Sequence, residues 1–213
     1  MKLKVCGMNH NPKEVAQLQP DYLGFIFWKP STRYFDGNMP ELPKSIKKVG
    51  VFVDAFVEEV LQKVKKYSLD ALQLHGTESP EYCSNLIQAQ VDIIKVFSIK
   101  DDFDFSVLEA YEASCDYFMF DTKGKLPGGN GYVFDWSILK EYPSSKPYFL
   151  SGGIGLNEID SLLAFLESPA SKQCYAIDVN SKFEIEPGLK NIKQLREFKK
   201  LLSNNFQFNT DNS

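Results

Sequence analysis

A chain of 213 residues, 43% hydrophobic and 24% charged, is long enough to bury one large core. A formal net charge of −4 gives no electrostatic footprint for nucleic acid or an anionic membrane surface. No apolar run approaches the ~20 residues that span a bilayer.

Lys2 and Lys4 interrupt the apolar stretch that a secretion signal would need, so none is expected. Cys6, Cys83, Cys115 and Cys174 are scattered singly, which fits reduced thiols and a cytoplasmic location. With two histidines and no His/Cys cluster, no metal site is expected.

Strand and helix patterns alternate along the chain. Lys2–Cys6 reads as a strand, followed by a helix over Asn11–Leu18 with Asn11 as N-cap and Pro12 in its first turn. Asp21–Phe27 is a second strand of buried type, and Trp28–Pro40 a long loop. A short helix near Glu41–Ile46 precedes the strand Lys48–Val53. The next helix, Phe56–Tyr67, sets Val57, Val60, Leu61 and Val64 on one face.

Strands follow at Ala71–Leu74, Asp92–Phe97, Tyr117–Phe120, Tyr148–Leu150 and Cys174–Val179. Helices are expected over Pro80–Gln88, Phe105–Ala113, Asp135–Lys140, Leu156–Phe165 and Ile192–Leu202. This repetition in a chain of this length fits a single-domain (β/α)₈ TIM barrel, an α/β fold, over residues 1–203, with a polar, frayed tail over 204–213. A doubly wound open sheet fits less well, because the G-x-G-x-x-G turn after the first strand is missing.

In such a barrel the chemistry sits at the carboxyl ends of the strands. Reading those positions gives Cys6, Arg33, His75, Asp121, the Ser151-Gly152-Gly153 turn and Asp178-Val179-Asn180-Ser181. Cys6 is either a small buried hydrophobe or a base with Gly7 leaving room beside it. Asp121 closes an apolar strand, as a turn residue or as a general acid. The glycine turn and the Asp178–Ser181 loop occupy the two units where barrels often bind phosphate on backbone N–H groups. Arg33 carries a planar fork suited to a carboxylate. His75 is a base or a hydrogen-bonded structural residue. No His or Lys next to Cys6 in sequence announces itself as an activator. Lys123–Gly131 lacks the closing Gly-Lys-Ser/Thr of a nucleotide-binding loop.

Taken in order, these segments resemble a known family. Lys4-Val-Cys-Gly7, Asp21–Phe27, Ser31-Thr-Arg-Tyr34, Val49–Val53 and Gln73-Leu-His-Gly76 open the series. Phe120-Asp-Thr122, Gly128–Gly131, Phe134-Asp-Trp136, Leu150-Ser-Gly-Gly153, Ile177-Asp-Val179 and Glu186-Pro-Gly188 complete it. The set is similar to the phosphoribosylanthranilate isomerases of tryptophan biosynthesis over residues 2–202. The resemblance implies an Amadori rearrangement of N-(5-phosphoribosyl)anthranilate to a carboxyphenylamino-deoxyribulose phosphate, without cofactor. It implies Asp121 as general acid, Cys6 as general base and Arg33 on the anthranilate carboxylate. The Gly152-Gly153 turn and the segment with Asp178, Asn180 and Ser181 would bind the phosphosugar. A monomer or homodimer is expected.

The loop after the eighth strand departs from the family, with Lys182 where glycine is usual, as do Asn130 and Asn191. Two alternatives stay open in the sequence. One is another phosphosugar barrel, of the indole-glycerol-phosphate synthase kind. The other is a phosphosugar-binding protein without catalysis.

Overall fold

Eight short strands hydrogen-bond side by side in chain order, all parallel, and the eighth closes on the first. They are β1 (Lys2–Val5), β2 (Tyr22–Ile26), β3 (Lys47–Phe52), β4 (Ala71–Leu74), β5 (Asp92–Ile99), β6 (Tyr117–Thr122), β7 (Tyr148–Leu150) and β8 (Cys174–Val179). The computed structural model describes residues 1–100, 102–122 and 133–207. The glycine-rich stretch Lys123–Gly131 and the end of the polar tail lie outside the described residues. The (β/α)₈ barrel expected from the sequence is the fold of the chain.

Because side chains alternate across a strand, each strand serves two cores. Leu3, Val5, Leu23, Phe25, Phe52 and Leu72 face outward and are buried beneath the surrounding helices. Tyr22, Val49, Ala71, Ile94, Met119 and Phe149 face inward and fill the barrel. Tyr22 meets Phe149 edge-on at 5.4 Å between ring centroids, and its hydroxyl lies 3.1 Å from that of Tyr175. With this apolar packing below, the inward residues farther along the strands turn polar: Cys6, Gln73, Asp121, Ser151 and Asp178.

The helices are α1 (Pro12–Ala16), α2 (Val57–Tyr67), α3 (Pro80–Leu86), α4 (Ile159–Glu167) and α5 (Ile192–Gln207). In α2 the apolar stripe packs on the barrel while Glu58 and Glu59 lead and Lys65 and Lys66 end it, each complementing the helix dipole. Ser79 caps α3 by accepting from the Tyr82 amide at 3.1 Å.

Four local expectations change. Asn11 precedes α1 but does not cap it with its side chain; its amide instead bridges the backbone of Lys190, donating at 3.0 Å and accepting at 2.9 Å. Glu41–Ile46 is a turn, closed by Ile46 N–H donating to Pro43 O at 2.9 Å, because Pro43 has no amide to give and restricts Leu42. The segments after β5 and β6 that read as α-helices are 3₁₀ turns, Phe105–Tyr111 and Trp136–Glu141. A 3₁₀ turn climbs ~2.0 Å per residue, against ~1.5 Å for an α-helix, and so spans the return in fewer residues. A small hairpin of β9 (Glu184–Glu186) and β10 (Leu189–Lys190) follows β8 and was not anticipated.

Candidate active site at the strand ends

Cys6 lies one residue past β1 and still donates its amide to Val179 O at 2.8 Å, so the barrel ladder fixes its backbone. Its thiol faces inward over β2, where only a glycine fits: a Cβ on Gly24 would stand 2.8 Å from Sγ. Asp121 is inward on β6, flanked by Phe120 and Thr122, which face outward. Cys6 and Asp121 line one cavity, open at the mouth, together with Gln73, His75, Ser151 and Asp178.

Two polar chains stand behind these residues. Lys4, two positions before Cys6 and so on the same strand face, is fully buried with its ammonium 2.6 Å from Asp178 Oδ1. Ser151 donates to Asp178 Oδ2 at 3.1 Å. Burial pushes the Cys6 thiol above its usual range; Lys4 and Lys190 pull it back, Asp178 pushes it up, and burial prevails. Burial pulls Lys4 down, but Asp178 and Cys6 outweigh it and hold the ammonium above the usual lysine range. On the other side, His75 Nε2 lies 3.1 Å from Asp121 Oδ2, and its Nδ1 lies 3.1 Å from the Gln73 amide nitrogen.

The turn after β7 runs through Gly152 and Gly153 at φ of +97° and +70°. Both values lie in the region L side chains avoid, and a Cβ on Gly152 would also collide with Thr122. Asn180 and Ser181 line the cavity beside that turn. The Asn180 side chain accepts from Lys190 Nζ at 2.7 Å, and Lys190 donates to Glu184 Oε1 at 2.8 Å.

Arg33 is placed differently from the rest. Its Cδ lies against Gly7, beside Asn180, but Arg33 is not in the cavity wall. Glu184 takes its fork, with Nε 2.9 Å from both carboxylate oxygens and Nη2 2.6 Å from Oε2. Burial pushes the Glu184 carboxyl up, but Arg33 and Lys190 overcome it and hold it below the usual range.

The structure therefore gathers Cys6, Asp121, His75, Gly152, Gly153, Asp178, Asn180 and Ser181 around one space and leaves the Arg33 guanidinium tied at its rim. Sequence reasoning missed Lys4, Gln73, Gly24, Glu184 and Lys190. The alternation of β1 and β4 could have found the first two, since Lys4 shares a face with Cys6 and Gln73 with His75. Among the described residues, no group of three His, Cys, Asp or Glu side chains stands close enough to hold a metal ion, and no helix is long and apolar enough to cross a membrane.

A closed parallel barrel with a thiol, a carboxyl and glycine turns converging on a small cavity is built as an enzyme for a small molecule. The family model described as N-(5'-phosphoribosyl)anthranilate (PRA) isomerase matches residues 3–200, and the chain belongs to that family. The N-(5'-phosphoribosyl)anthranilate isomerase of Parabacteroides distasonis is 43% identical, with 93% of this chain and 91% of the relative covered. That of Phocaeicola vulgatus is 39% identical over 93% and 96%. Among solved structures, the phosphoribosyl anthranilate isomerase of Thermus thermophilus superposes with a TM-score of 0.81 at 26% identity, covering 96% of this chain and 99% of that one. A phosphoribosyl anthranilate isomerase in complex with reduced 1-(o-carboxyphenylamino)-1-deoxyribulose 5-phosphate superposes with a TM-score of 0.74 at 25% identity, covering 96% and 99%.

Proposed function

We propose that the chain isomerises N-(5'-phosphoribosyl)anthranilate to 1-(2-carboxyphenylamino)-1-deoxyribulose 5-phosphate in tryptophan biosynthesis, with Asp121 as acid and Cys6 as base. The observation that carries the roles is that both groups, on strands far apart around the ring, line one cavity. Asp121 protonates the furanose ring oxygen; the C1'–O bond breaks and the amine nitrogen becomes an iminium. Cys6 thiolate then removes the proton from C2', and the electron pair left behind neutralises the iminium to an enolamine. Tautomerisation to the ketone completes the isomerisation. Only protons and electron pairs within the substrate move, so side chains suffice as catalysts.

The iminium also bears on the thiol. Burial favours the neutral thiol, opposed by Lys4 and Lys190. A cation formed at C1' adds a further attraction for the thiolate at the moment it is needed.

The phosphate is held by the Gly152-Gly153 turn and by the loop of Asn180 and Ser181, through backbone N–H groups. Asp178 shapes this wall through Lys4 and Ser151. The Glu184 grip engages Nε and Nη2 of Arg33 and not Nη1, which is the edge offered to the anthranilate carboxylate. The chain works in the cytoplasm, as a monomer or homodimer.

Turnover of phosphoribosylanthranilate by the purified protein is the direct test. Cys6→Ala and Asp121→Asn should each lower kcat by about 10²-fold or more while a reduced product analogue still binds. Substantial turnover in either variant overturns the role of that residue. Failure of the unaltered chain to support a tryptophan auxotroph lacking this step overturns the function.

A further inference from the structure

An aspartate that gives up a proton in each turnover must be supplied with another. The side chains behind Asp121 offer a source. His75 and Asp121 stand 3.1 Å apart with their side chains only 10% and 5% exposed. Gln73, 1% exposed, lies 3.1 Å beyond, and its amide oxygen is buried without a hydrogen-bond partner. A buried amide oxygen without a partner is costly, and here it is the amide nitrogen that faces the His75 ring.

Turning the Gln73 amide by 180° lets its oxygen accept from His75 when Nδ1 carries a proton. Amide oxygen and nitrogen are nearly interchangeable in shape, so the turn needs no other side chain to move, and the amide nitrogen takes the unpartnered place that the oxygen held. With Nδ1–H given to Gln73, the proton that the imidazole can release is the one on Nε2, facing Asp121. Glutamine is suited to this place because it partners Nδ1 in either protonation state of the ring.

We propose that His75 is the positioning residue that supplies the proton Asp121 delivers, with Gln73 fixing which ring nitrogen gives it up. The inference rests on Asp121 being the acid. The N–H bond at His75 Nε2 breaks and an O–H bond forms on Asp121; that bond breaks as the ring oxygen of the sugar is protonated. The imidazolium loses its positive charge and the substrate gains it as the iminium. The proton later taken up by Cys6 returns to the pair through solvent, so the cycle closes without net proton change.

One buried ion pair flanks the His75 backbone: Lys95 Nζ donates to Leu74 O at 3.4 Å, to Gly76 O at 2.8 Å and to Glu78 Oε2 at 2.7 Å. On and just after β3, Val51 and Val53 are apolar; on β5, Ser98 pairs with Asp121; just after β7 the neighbour is Ser151. The charged groups that line the cavity from elsewhere are Asp178, paired with the buried Lys4, and Lys182, with the Cys6 thiol on the far strand. Asp54, at the end of β3, is engaged by Thr77.

The test is the pH dependence of kcat/KM in His75→Asn, which retains a hydrogen-bonding side chain but cannot carry the proton. Alkylation of Cys6 followed by mass spectrometry identifies which ionisation in the profile is the thiol's. The other ionisation should move to lower pH by more than one unit, and turnover at pH 7.5 should fall by about 10-fold or more. Gln73→Met, which keeps His75, should shift the same limb in the same direction by less. A profile of unchanged shape in His75→Asn, with activity scaled equally at every pH, overturns the proposal. Asp121→Asn separates the two levels. If it is inactive while His75→Asn keeps the original profile, only this inference fails. If Asp121→Asn stays active, the assignment beneath it fails as well.

Discussion

Lys4 places its ammonium 2.6 Å from Asp178 inside the barrel, on the strand face that carries Cys6. A buried lysine with a single carboxylate partner is held there by electrostatics, since removing one partner of such a pair leaves the other charged and unsolvated. The pair therefore keeps a cation near the thiol at all working pH values. Asp178 is fixed in turn by Ser151, so the distance of the cation from the thiol is set by three strands, β1, β7 and β8.

Lys4→Met should raise the pH at which Cys6 ionises and lower kcat by about 10-fold or more, with KM changed less. The rate of iodoacetamide labelling at Cys6, followed against pH, reads the first effect. The same substitution strands Asp178, so stability should fall by about 3–5 kcal/mol in urea unfolding. Lys4→Met combined with Asp178→Asn should recover part of that stability without recovering turnover. A labelling profile identical to that of the unaltered protein would show that Lys4 has no hold on the thiol.

Much of this was legible in the sequence, for a physical reason. Strands buried on both faces are near-continuous apolar runs, so β2, β4, β6 and β8 stand out, and a barrel puts their carboxyl ends in one place. Cys6, Asp121 and His75 could be gathered by that rule alone. What could not be read is contact between residues far apart in the chain. Lys4 and Asp178 are 174 positions apart and Arg33 and Glu184 are 151, and no local pattern announces either pair. The β9–β10 hairpin that carries Glu184 was missed because two strands of three and two residues give too short an alternation to recognise. The 3₁₀ turns were read as α-helices because over six or seven residues the two helices bury similar positions.

Gly24 shows how a residue without a side chain can be part of the site. The thiol of Cys6 occupies the space where a Cβ at position 24 would be, 2.8 Å from Sγ and 3.2 Å from Cys6 Cα. Gly24→Ala should displace the thiol from its place over β2. Overpacking of this kind costs about 1–3 kcal/mol, which the fold can tolerate. Turnover should fall by about 10²-fold, because a base shifted by about an ångström loses its alignment with the C2' proton. Binding of the reduced product analogue should change little. Calorimetry with that analogue, set beside kcat, checks the claim, and a variant with normal turnover removes Gly24 from the account of the site.

Arg33 presents the clearest case of a charged side chain whose place is decided by a neighbour. Glu184 holds two of its nitrogens and also accepts from Lys190, so one carboxylate orders two cations at the rim of the cavity. Glu184→Gln keeps the shape but releases both. If Arg33 binds the anthranilate carboxylate, Glu184→Gln should raise KM by about 10-fold, equivalent to ~1.4 kcal/mol, with a smaller effect on kcat. Arg33→Ala should raise it at least as much. The effect should vanish for an analogue that lacks the ring carboxylate, which distinguishes loss of that contact from general loosening of the loop. The pH dependence of stability gives an independent check. The Glu184 carboxyl is held below its usual range in the folded protein, so the ion pairs contribute fully above the unfolded value near 4.5 and are lost as pH falls through the folded one. The unaltered protein should therefore lose stability more steeply on acidification below about pH 5 than Glu184→Gln does. Equal acid slopes for the two proteins, measured by urea unfolding, would mean that the grip on Arg33 adds nothing to the fold. An unchanged KM would mean that it adds nothing to binding.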